Sequence, residues 1–308
     1  MQRQYLFNTD FSFSALPKEK SKENLYYKHK NGSLWLDDSI EWLKSLPANS
    51  VNMIFADPPY NIKKASWDSW SSEKQYIDWS LLWIKEAARI LSPVGTLYIC
   101  GFSEIIAGIK YMAMQYFYSC KWLIWHYRNK ANLGNDWGRS HETILALRKS
   151  KNFIFNVDDV RIPYGAHTLK YPERNQGDTS QYSKGQAKKN DWIPNPLGAK
   201  PKDVIEIPTT CNGMKEKTPH PTHKPEELIR KLILASSNVG DIVLDPFCGS
   251  GTTPVCAEQL QRKWIACDKV EEYLGWAKDR IEAVDKSISI EEWKEYDLNN
   301  MKRRVSIR

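Results

Sequence analysis

The chain has 308 residues, of which 41% are hydrophobic and 26% charged, so its composition excludes a disordered protein and allows one large domain or a core with a substantial insertion. The net charge of +7 and the pI near 8.9 suit a polyanionic partner, although many basic proteins never bind nucleic acid. The first residues carry no apolar signal core and no apolar run approaches membrane-spanning length, so we expect a cytoplasmic protein that makes no contact with a membrane.

After a polar, lysine-rich arm, five short apolar runs are predicted as strands, each running into an acidic or small polar residue or ending on one: 33–36, 51–56, 95–100, 241–245 and 263–268. Stretches with helical periodicity alternate with them: 39–46, 76–91, 226–236, 252–260 and 271–284. The Ser39 hydroxyl is the predicted N-cap of the first helix. Strands that alternate with helices favour parallel pairing and an α/β fold, in which ligands bind beyond the carboxyl ends of the strands.

The segment 160–218 interrupts this alternation with a sequence that is rich in Pro, Gly, Asn, Gln and Lys and has no clear period. It holds ten Lys and Arg residues against six Asp and Glu residues, a local excess of four positive charges. An irregular segment of this length inside a compact domain is usually functional or disordered. We therefore divide the chain into an N-terminal arm (1–32), a first half of the core (33–159), the irregular segment (160–218), a second half of the core (219–285) and a charged C-terminal tail (286–308).

A glycine-containing turn, Asp-Pro-Phe-Cys-Gly-Ser-Gly-Thr, joins the strand 241–245 to the helix that follows. Its glycines, Gly249 and Gly251, let the backbone approach a ligand closely. The turn lacks the Gly-Lys-Ser/Thr of a P-loop, and Pro254 stands where a dinucleotide-binding turn has its third glycine. Asp268 ends the next strand, where a carboxylate accepts hydrogen bonds from ribose hydroxyls. These features favour an adenosyl ligand without a pyrophosphate; the alternative is a turn that needs glycine for its geometry and a helix-capping aspartate.

The turn after the second predicted strand reads Asp57-Pro58-Pro59-Tyr60. Two consecutive prolines fix the backbone and remove two N–H donors, so we expect acceptors that nothing local satisfies. The Asp57 carboxylate and the Pro58 carbonyl would accept the two protons of a base amine and favour attack by its lone pair on an electrophilic methyl group. Tyr60 would stack on that base, which must leave a duplex to arrive there. The alternative is a rigid loop with a packed tyrosine.

Taken together, the two turns resemble those of the amino-methyltransferases of restriction-modification systems, specifically the β group, in which Asp-Pro-Pro-Tyr precedes Phe-x-Gly-x-Gly. The resemblance spans about residues 33–280. Further motifs carry it: Asp38 before the first helix and His220-Pro221-Thr222-His223-Lys224-Pro225. Two more, Trp67-Asp68 and Arg89-Ile90-Leu91-Ser92-Pro93, look like those of RsrI-type adenine-N6 methylases. In the His-Pro-Thr-His-Lys-Pro motif, His223 stands where the family usually has Gln.

The resemblance implies a Rossmann-like S-adenosylmethionine-dependent methyltransferase sheet in permuted order, with the irregular segment as the target-recognition region. It places S-adenosylmethionine near one group of residues: Asp38, His220, Thr222, Lys224, Asp245, Phe247, Gly249, Gly251, Thr252 and Asp268. It assigns the chemistry to Asp57, Pro58 and Tyr60, and double-stranded DNA as the partner. The expected DNA contacts are lysines of the irregular segment: Lys184, Lys188, Lys189, Lys200 and Lys202. A cognate restriction endonuclease is a candidate partner, and the chain is expected to be a monomer or a homodimer.

Several alternatives to adenine N6 methylation remain open. Cytosine N4 is the second choice of acceptor, because the cytosine motif of the family more often begins with Ser than with Asp. RNA and protein-amide methylases tend to carry Asn in place of Asp57, and a DNA-binding relative without catalysis is disfavoured by the intact Asp57, Tyr60 and glycine turn. Carbon-5 cytosine methylation is disfavoured because no Pro-Cys nucleophile occurs. No metal is expected, since His220, His223 and Cys211 have no fourth ligand at a sensible spacing.

Overall fold

A mixed nine-stranded sheet with helices on both faces forms the core of the computed structural model, which describes residues 23–61, 68–128, 135, 137–172 and 193–306. The strands are β1 (Leu25–His29), β2 (Gly32–Leu36), β3 (Val51–Ala56), β4 (Leu91–Gly101), β5 (Ser119–His126), β6 (His141–Arg148), β7 (Val204–Glu206), β8 (Ile242–Asp245) and β9 (Lys263–Asp268). The helices are α1 (Ser39–Ser45), α2 (Glu73–Ile90), α3 (Ser103–Ala113), α4 (Ala166–Lys170), α5 (Glu226–Ser236), α6 (Thr252–Gln259), α7 (Glu271–Glu282) and α8 (Ile290–Ser306).

The strand order is β1-β2-β9-β8-β3-β4-β6-β5-β7. The five strands from β2 to β4 are mutually parallel, whereas β6 is antiparallel to both of its neighbours. The chain reaches β9 from β8 in one direction and β4 from β3 in the other, so the order reverses between β8 and β3. In open α/β sheets, ligands bind at such a point, beyond the carboxyl ends of the strands. The two turns singled out in the sequence follow these two central strands and therefore meet there.

Each face of the sheet is covered by a separate apolar layer. Helices α1, α2 and α3 pack on one face, where Trp42 and Trp83 are fully buried. Helices α5, α6 and α7 cover the other face with residues such as Leu228 and Leu274. Because the central strands are buried on both sides, their sequences are continuous apolar runs rather than alternating ones. The α/β prediction is confirmed.

The structure corrects the sequence analysis at the start of the core. Strand β1, within the predicted N-terminal arm, pairs antiparallel with β2 and extends the sheet, so the regular structure begins before residue 33. The N-cap of α1 is Asp38 and not Ser39, which is the first helical residue. The Asp38 carboxylate accepts hydrogen bonds from the backbone N–H groups of Ile40 and Glu41. A carboxylate one residue earlier is in reach of these donors and also complements the helix dipole.

The described parts of the irregular segment are mostly without regular structure. They contain the short helix α4, one isolated bridge between Ile162 and Ala199, and β7, which adds to the edge of the sheet beside β5. Lys200 and Lys202 are exposed to solvent. Three other predicted DNA contacts, Lys184, Lys188 and Lys189, lie outside the described residues, as does Trp67.

The C-terminal tail is not merely a charged extension, because most of it forms α8. Arg230 on α5 pairs with Asp297 on α8 at 2.7 Å, and Lys294 on α8 pairs with Asp159 at 2.8 Å. Trp293 also packs against the core on this side of the sheet. Among the described residues, none of these helices has both the length and the apolar character needed to cross a membrane.

Candidate active site

A pocket lies beyond the carboxyl ends of the central parallel strands, where the sheet order reverses. Twelve of the thirteen catalytic and cofactor-binding residues predicted from the sequence line it: Asp38, Asp57, Pro58, Tyr60, His220, Thr222, Lys224, Asp245, Phe247, Gly249, Thr252 and Asp268. The exception is Gly251. The topology thus brings together residues from both halves of the chain, separated by up to 230 positions in the sequence.

The Asp-Pro-Pro-Tyr turn follows β3 and is held in place by a hydrogen bond from α2. The Tyr76 hydroxyl donates a 2.5 Å hydrogen bond to the carbonyl oxygen of Pro59, and the Tyr76 side chain is almost fully buried. The next residue, Asn61, has a left-handed backbone with φ of 58°, and its N–H donates to the buried Asp68 carboxylate at 2.6 Å. Short polar residues tolerate this conformation best. The turn is therefore held at both ends by side chains that come from later in the chain.

Two carboxylates and one ammonium form a buried charged group beside this turn. Lys224 Nζ lies 2.7 Å from Asp57 Oδ2 and 3.4 Å from Glu142 Oε2. Tyr60 completes the group, because its hydroxyl lies 2.5 Å from Asp57 Oδ1 and 3.1 Å from Glu142 Oε2. Only 7% of the Lys224 side chain is exposed, with 14% for Asp57 and 13% for Glu142. Two negative charges and one positive charge give the group a formal charge of −1.

Burial and the two carboxylates shift the pKa values of the other two members of this group, Lys224 and Tyr60. Burial alone would lower the pKa of Lys224, but the Asp57 and Glu142 carboxylates outweigh burial and raise this pKa above its ordinary value. Burial also raises the pKa of Tyr60 well above its usual range, and the same two carboxylates add to the effect. At neutral pH the lysine is therefore an ammonium ion and the tyrosine a neutral phenol.

One expectation from the sequence is wrong at this turn. The Asp57 carboxylate is not without local partners, since Lys224 and Tyr60 each occupy one of its oxygens. Lys224, expected at the cofactor, lines the pocket and forms ion pairs with Asp57 and Glu142. The prolines do remove donors, as predicted, and no described residue donates a hydrogen bond to the carbonyl oxygen of Pro58. The motif pattern could not reveal these contacts because they join residues that are 85 and 167 positions from Asp57.

The two glycines of the second turn are required for different structural reasons. Gly249 has φ of +48°, and a Cβ atom there would lie 2.9 Å from the His220 ring. Its N–H donates a 2.8 Å hydrogen bond to Asp268 Oδ2, which draws the turn onto the end of β9. Gly251 has φ of +79° and faces Ala277 on α7, which a Cβ would approach to 2.5 Å. Gly251 therefore permits close helix packing and does not line the pocket.

Two aspartates at the strand ends are buried beside the glycine turn. Asp245 accepts hydrogen bonds from the Thr253 hydroxyl at 2.5 Å and from the N–H of Phe247 at 3.0 Å, and it is 3% exposed. Burial raises its pKa to about 7, although both hydrogen bonds oppose this shift. Burial raises the pKa of Asp268 as well. Asp268 Oδ2 accepts the Gly249 N–H at 2.8 Å and Oδ1 accepts the Val270 N–H at 3.0 Å, and an ionised carboxylate has further lone pairs that a ligand can use.

Two histidines of the His-Pro-Thr-His-Lys-Pro segment line the same pocket and are neutral at pH 7. Burial lowers the pKa of His220 to about 4. Burial, followed by the charge of Arg280, lowers the pKa of His223 to about 3. His223 Nδ1 lies 3.1 Å from the Thr218 hydroxyl, whereas its Nε2 is buried and has no hydrogen-bond partner among the described residues.

Aromatic rings form much of the remaining wall. Trp70 and Trp79 contact each other with centroids 4.7 Å apart, and Trp79 lies 6.0 Å from Phe247. On the opposite side, Tyr273 meets the His220 ring edge-on at 4.5 Å. Flat apolar faces beside acidic groups suit a ligand that combines an aromatic ring with hydroxyl groups or positive charge.

Arg280 on α7 supports the glycine turn from behind. Its guanidinium donates to the Ser250 carbonyl at 2.7 Å and pairs with Glu226 at 2.8 Å. Glu226 also accepts from Arg230, which reaches α8. The motifs predict none of the supporting residues Glu142, Tyr76, Tyr273 or Arg280, because charged and aromatic residues at these positions are ordinary helix and strand surface in the sequence. Among the described residues, no group of His, Cys, Asp and Glu side chains is arranged to hold a metal ion.

The profile of a DNA methylase family matches residues 51–279, which is most of the chain and includes both turns. The type II methyltransferase M1.MboII of Moraxella bovis is 35% identical over 247 residues, covering 77% of this chain and 92% of that protein. The DNA adenine methyltransferase YhdJ of Escherichia coli K12 is 35% identical over 250 residues, covering 80% of this chain and 81% of that protein.

Solved structures support the fold independently. The cytosine-N4-specific PvuII DNA methyltransferase aligns with a TM-score of 0.64 at 19% identity, covering 90% of this chain and 95% of that one. The complex of M1.HpyAVI with S-adenosylmethionine aligns with a TM-score of 0.53 at 23% identity, covering 81% and 98%. The predicted methyltransferase sheet in permuted order is thereby confirmed. From the family profile and the relatives above 30% identity, the chain belongs to the N6/N4 DNA methylase family.

Proposed function

We propose that this DNA methyltransferase transfers a methyl group to the N6 amine of adenine in duplex DNA. One observation carries the proposal: an acceptor turn, Asp57–Pro58, and an adenosyl-type turn, Gly249 with Asp268, open into one pocket from neighbouring strands. An amine held at the first turn lies beside a donor held at the second. The acidic start of the Asp-Pro-Pro-Tyr motif favours adenine, and so does the RsrI-type pattern of motifs.

The pocket fits S-adenosylmethionine, which is the methyl donor. A left-handed backbone at Gly249, where a Cβ would meet the His220 ring, brings the turn close to a ligand, and the remaining lone pairs of Asp268 suit ribose hydroxyls. Phe247 and Tyr273 supply apolar faces for an adenine ring. Asp38 offers negative charge for the ammonium of the methionine part. When bound, this cofactor supplies a methyl group from a sulfonium centre. The electron pair of the broken carbon–sulfur bond stays on sulfur, so the product is a neutral thioether.

The residues of the turn act on the target amine. An aromatic amine is a weak nucleophile because its lone pair is delocalised into the ring. Hydrogen bonds from its two N–H groups to Asp57 and to the Pro58 carbonyl favour a pyramidal nitrogen and localise that lone pair. The proton that the amine loses after alkylation passes to the Asp57 carboxylate and from there to solvent. No covalent enzyme intermediate is needed.

The amine of a paired base cannot reach this turn inside a duplex, so the target nucleotide must be flipped out. Tyr60 lies at the turn with Phe102 edge-on at 4.8 Å, and the two rings form an aromatic corner for the base. The exposed Lys200 and Lys202, with the lysines at 184, 188 and 189, contact the DNA phosphates. Relatives named type II methyltransferases support a place in a type II restriction-modification system, with an endonuclease acting on the same site.

Cytosine N4 is the second candidate acceptor, because it presents the same pattern of an amine beside a ring nitrogen. YhdJ, named a DNA adenine methyltransferase, supports adenine at 35% identity, whereas the cytosine-N4-specific PvuII enzyme shares the fold at 19%. The test is methylation of unmodified genomic DNA with the purified protein and S-adenosylmethionine, followed by mass spectrometry of the nucleosides. We expect N6-methyldeoxyadenosine. Detection of N4-methyldeoxycytidine alone would overturn the choice of base. The absence of any methylated nucleoside would overturn the proposed activity.

A further inference from the structure

Glu142 is the member of the buried charged group that no sequence motif includes. It lies near the start of β6, and because β6 runs antiparallel to β4, its first residues reach the carboxyl edge of the sheet where the pocket lies. There its carboxylate contacts Lys224 at 3.4 Å and the Tyr60 hydroxyl at 3.1 Å. A carboxylate buried to this extent is retained only with partners that compensate its charge.

We infer that Glu142 is a positioning residue for methyl transfer, which shares the Lys224 ammonium with Asp57 and thereby keeps Asp57 a strong acceptor for the target amine. The inference rests on the proposed role of Asp57. Glu142 acts through Lys224 and Tyr60 and has no contact with Asp57 of its own. Its effect is on the charge and the orientation of the turn.

Glu142 changes the net charge beside the target amine. Lys224 with Asp57 alone would be a neutral pair, in which the ammonium draws electron density from the carboxylate that must accept the amine protons. With Glu142 present the same ammonium donates a hydrogen bond to Asp57 and also forms an ion pair with Glu142 at 3.4 Å, and the group carries a formal charge of −1. As the amine is alkylated, positive charge develops on its nitrogen. A negative group held next to that nitrogen and partly shielded from solvent stabilises this charge, whereas a neutral pair does so far less.

Glu142 also affects the orientation of the turn, because it is a second acceptor for the Tyr60 hydroxyl. The Tyr60 hydroxyl has one proton and two carboxylates within reach, at Asp57 Oδ1 and at Glu142 Oε2. If Tyr60 donates to Glu142, then Asp57 Oδ1 is released and faces the pocket as a free acceptor. Glu142 thus provides the alternative partner that allows the target amine to replace Tyr60 at Asp57 without leaving a buried hydroxyl unsatisfied.

The test compares isosteric variants in single-turnover methyl transfer to duplex genomic DNA at saturating S-adenosylmethionine, with the cofactor Kd measured by calorimetry. Glu142→Gln keeps the shape and still accepts from Tyr60, and Lys224 keeps its 2.7 Å partner, so the fold is retained. We expect the transfer rate to fall on the order of 10- to 100-fold, as for loss of one unit charge near the reacting nitrogen. We expect the cofactor Kd to stay within about 2-fold. Glu86→Gln is the matched control, because Glu86 is 16% exposed and pairs with Arg89 on α2.

A double-mutant cycle separates positioning from a merely structural role. Lys224→Met leaves the Asp57 and Glu142 carboxylates without their shared ammonium, so the two negative charges repel each other. Adding Glu142→Gln removes this repulsion. The double variant should therefore be more active than the product of the two single losses predicts. A Glu142→Gln rate within about 3-fold of wild type would overturn the inference, and so would losses that simply multiply. A wild-type protein that methylates no DNA would instead overturn the proposed function.

Discussion

Replacing Asp245 by asparagine should remove a pH dependence from the stability of the protein. Burial raises the pKa of this carboxyl to about 7 in the folded state, against an ordinary value of 3.8. Between these two values the folded protein holds a proton that the unfolded chain has lost. Stability from this group is therefore fully present below about pH 4 and is lost as the pH rises through about 7. Above pH 7 the buried carboxylate is ionised and destabilises the fold.

The size of the effect follows from the two pKa values. A single group shifted in this way makes the free energy of unfolding about 2.5 kcal/mol lower at pH 8 than at pH 5, because each pH unit between the two pKa values costs about 1.4 kcal/mol. Asparagine has a similar shape, and its amide can accept from the Phe247 N–H and donate to the Thr253 hydroxyl. Urea unfolding of both proteins at pH 5, 6, 7 and 8 isolates the contribution as a difference between two curves. The reasoning is refuted if these curves run parallel within about 0.5 kcal/mol.

Three further changes test the support of the site. Arg280→Met, which removes the donor to the glycine turn, should weaken S-adenosylmethionine binding about 10-fold in calorimetry and leave the saturated transfer rate nearly unchanged. Tyr76→Phe frees the Pro59 carbonyl and should slow single-turnover transfer roughly 5- to 10-fold, with a stability loss of about 1 kcal/mol. Replacing Lys200 and Lys202 together by alanine should lower the slope of log affinity for DNA against log salt by about 2.

Each of these three predictions has a matched control or a contradicting result. For the lysines, the control is alanine at the exposed Lys44 and Lys85 on α1 and α2, and an equal change in salt slope would mean a non-specific loss of charge. For Arg280, an unchanged cofactor Kd would show that the turn holds its shape without this support. For Tyr76, a full transfer rate with the same loss of stability would limit this hydroxyl to a role in folding.

The strands and helices of the parallel core could be predicted because their sequences are decisive locally. The bounds of β3, β9 and α5 match the predicted ranges, since each is a clear apolar run or stripe that ends at a charged, polar or proline residue. The predicted turns were placed at the right strand ends for the same reason. That they meet in one pocket follows from the reversal of strand order between β8 and β3, which no local pattern in the sequence predicts.

The charged group around Asp57 could not be predicted, because it depends on pairing between distant strands. Glu142 reaches the pocket only because β6 runs antiparallel between β4 and β5, an arrangement that no local pattern encodes. The motif containing Lys224 was found, but its contact with Asp57 depends on how the segment before α5 crosses the sheet edge. Strand β1 was missed because Leu25–His29 mixes polar and aromatic residues, as an edge strand with one open side can.

We propose a division of roles, in which the Asp57 turn performs the chemistry while separate residues hold the cofactor. It is tested most directly by Asp57→Ala, in which Lys224 keeps Glu142 as a partner. Methyl transfer from labelled S-adenosylmethionine to duplex genomic DNA is measured beside the cofactor Kd of the same preparation. We expect the transfer rate to fall on the order of 10³-fold or more, with a Kd within about 3-fold of wild type. Transfer within about 10-fold of wild type would contradict it.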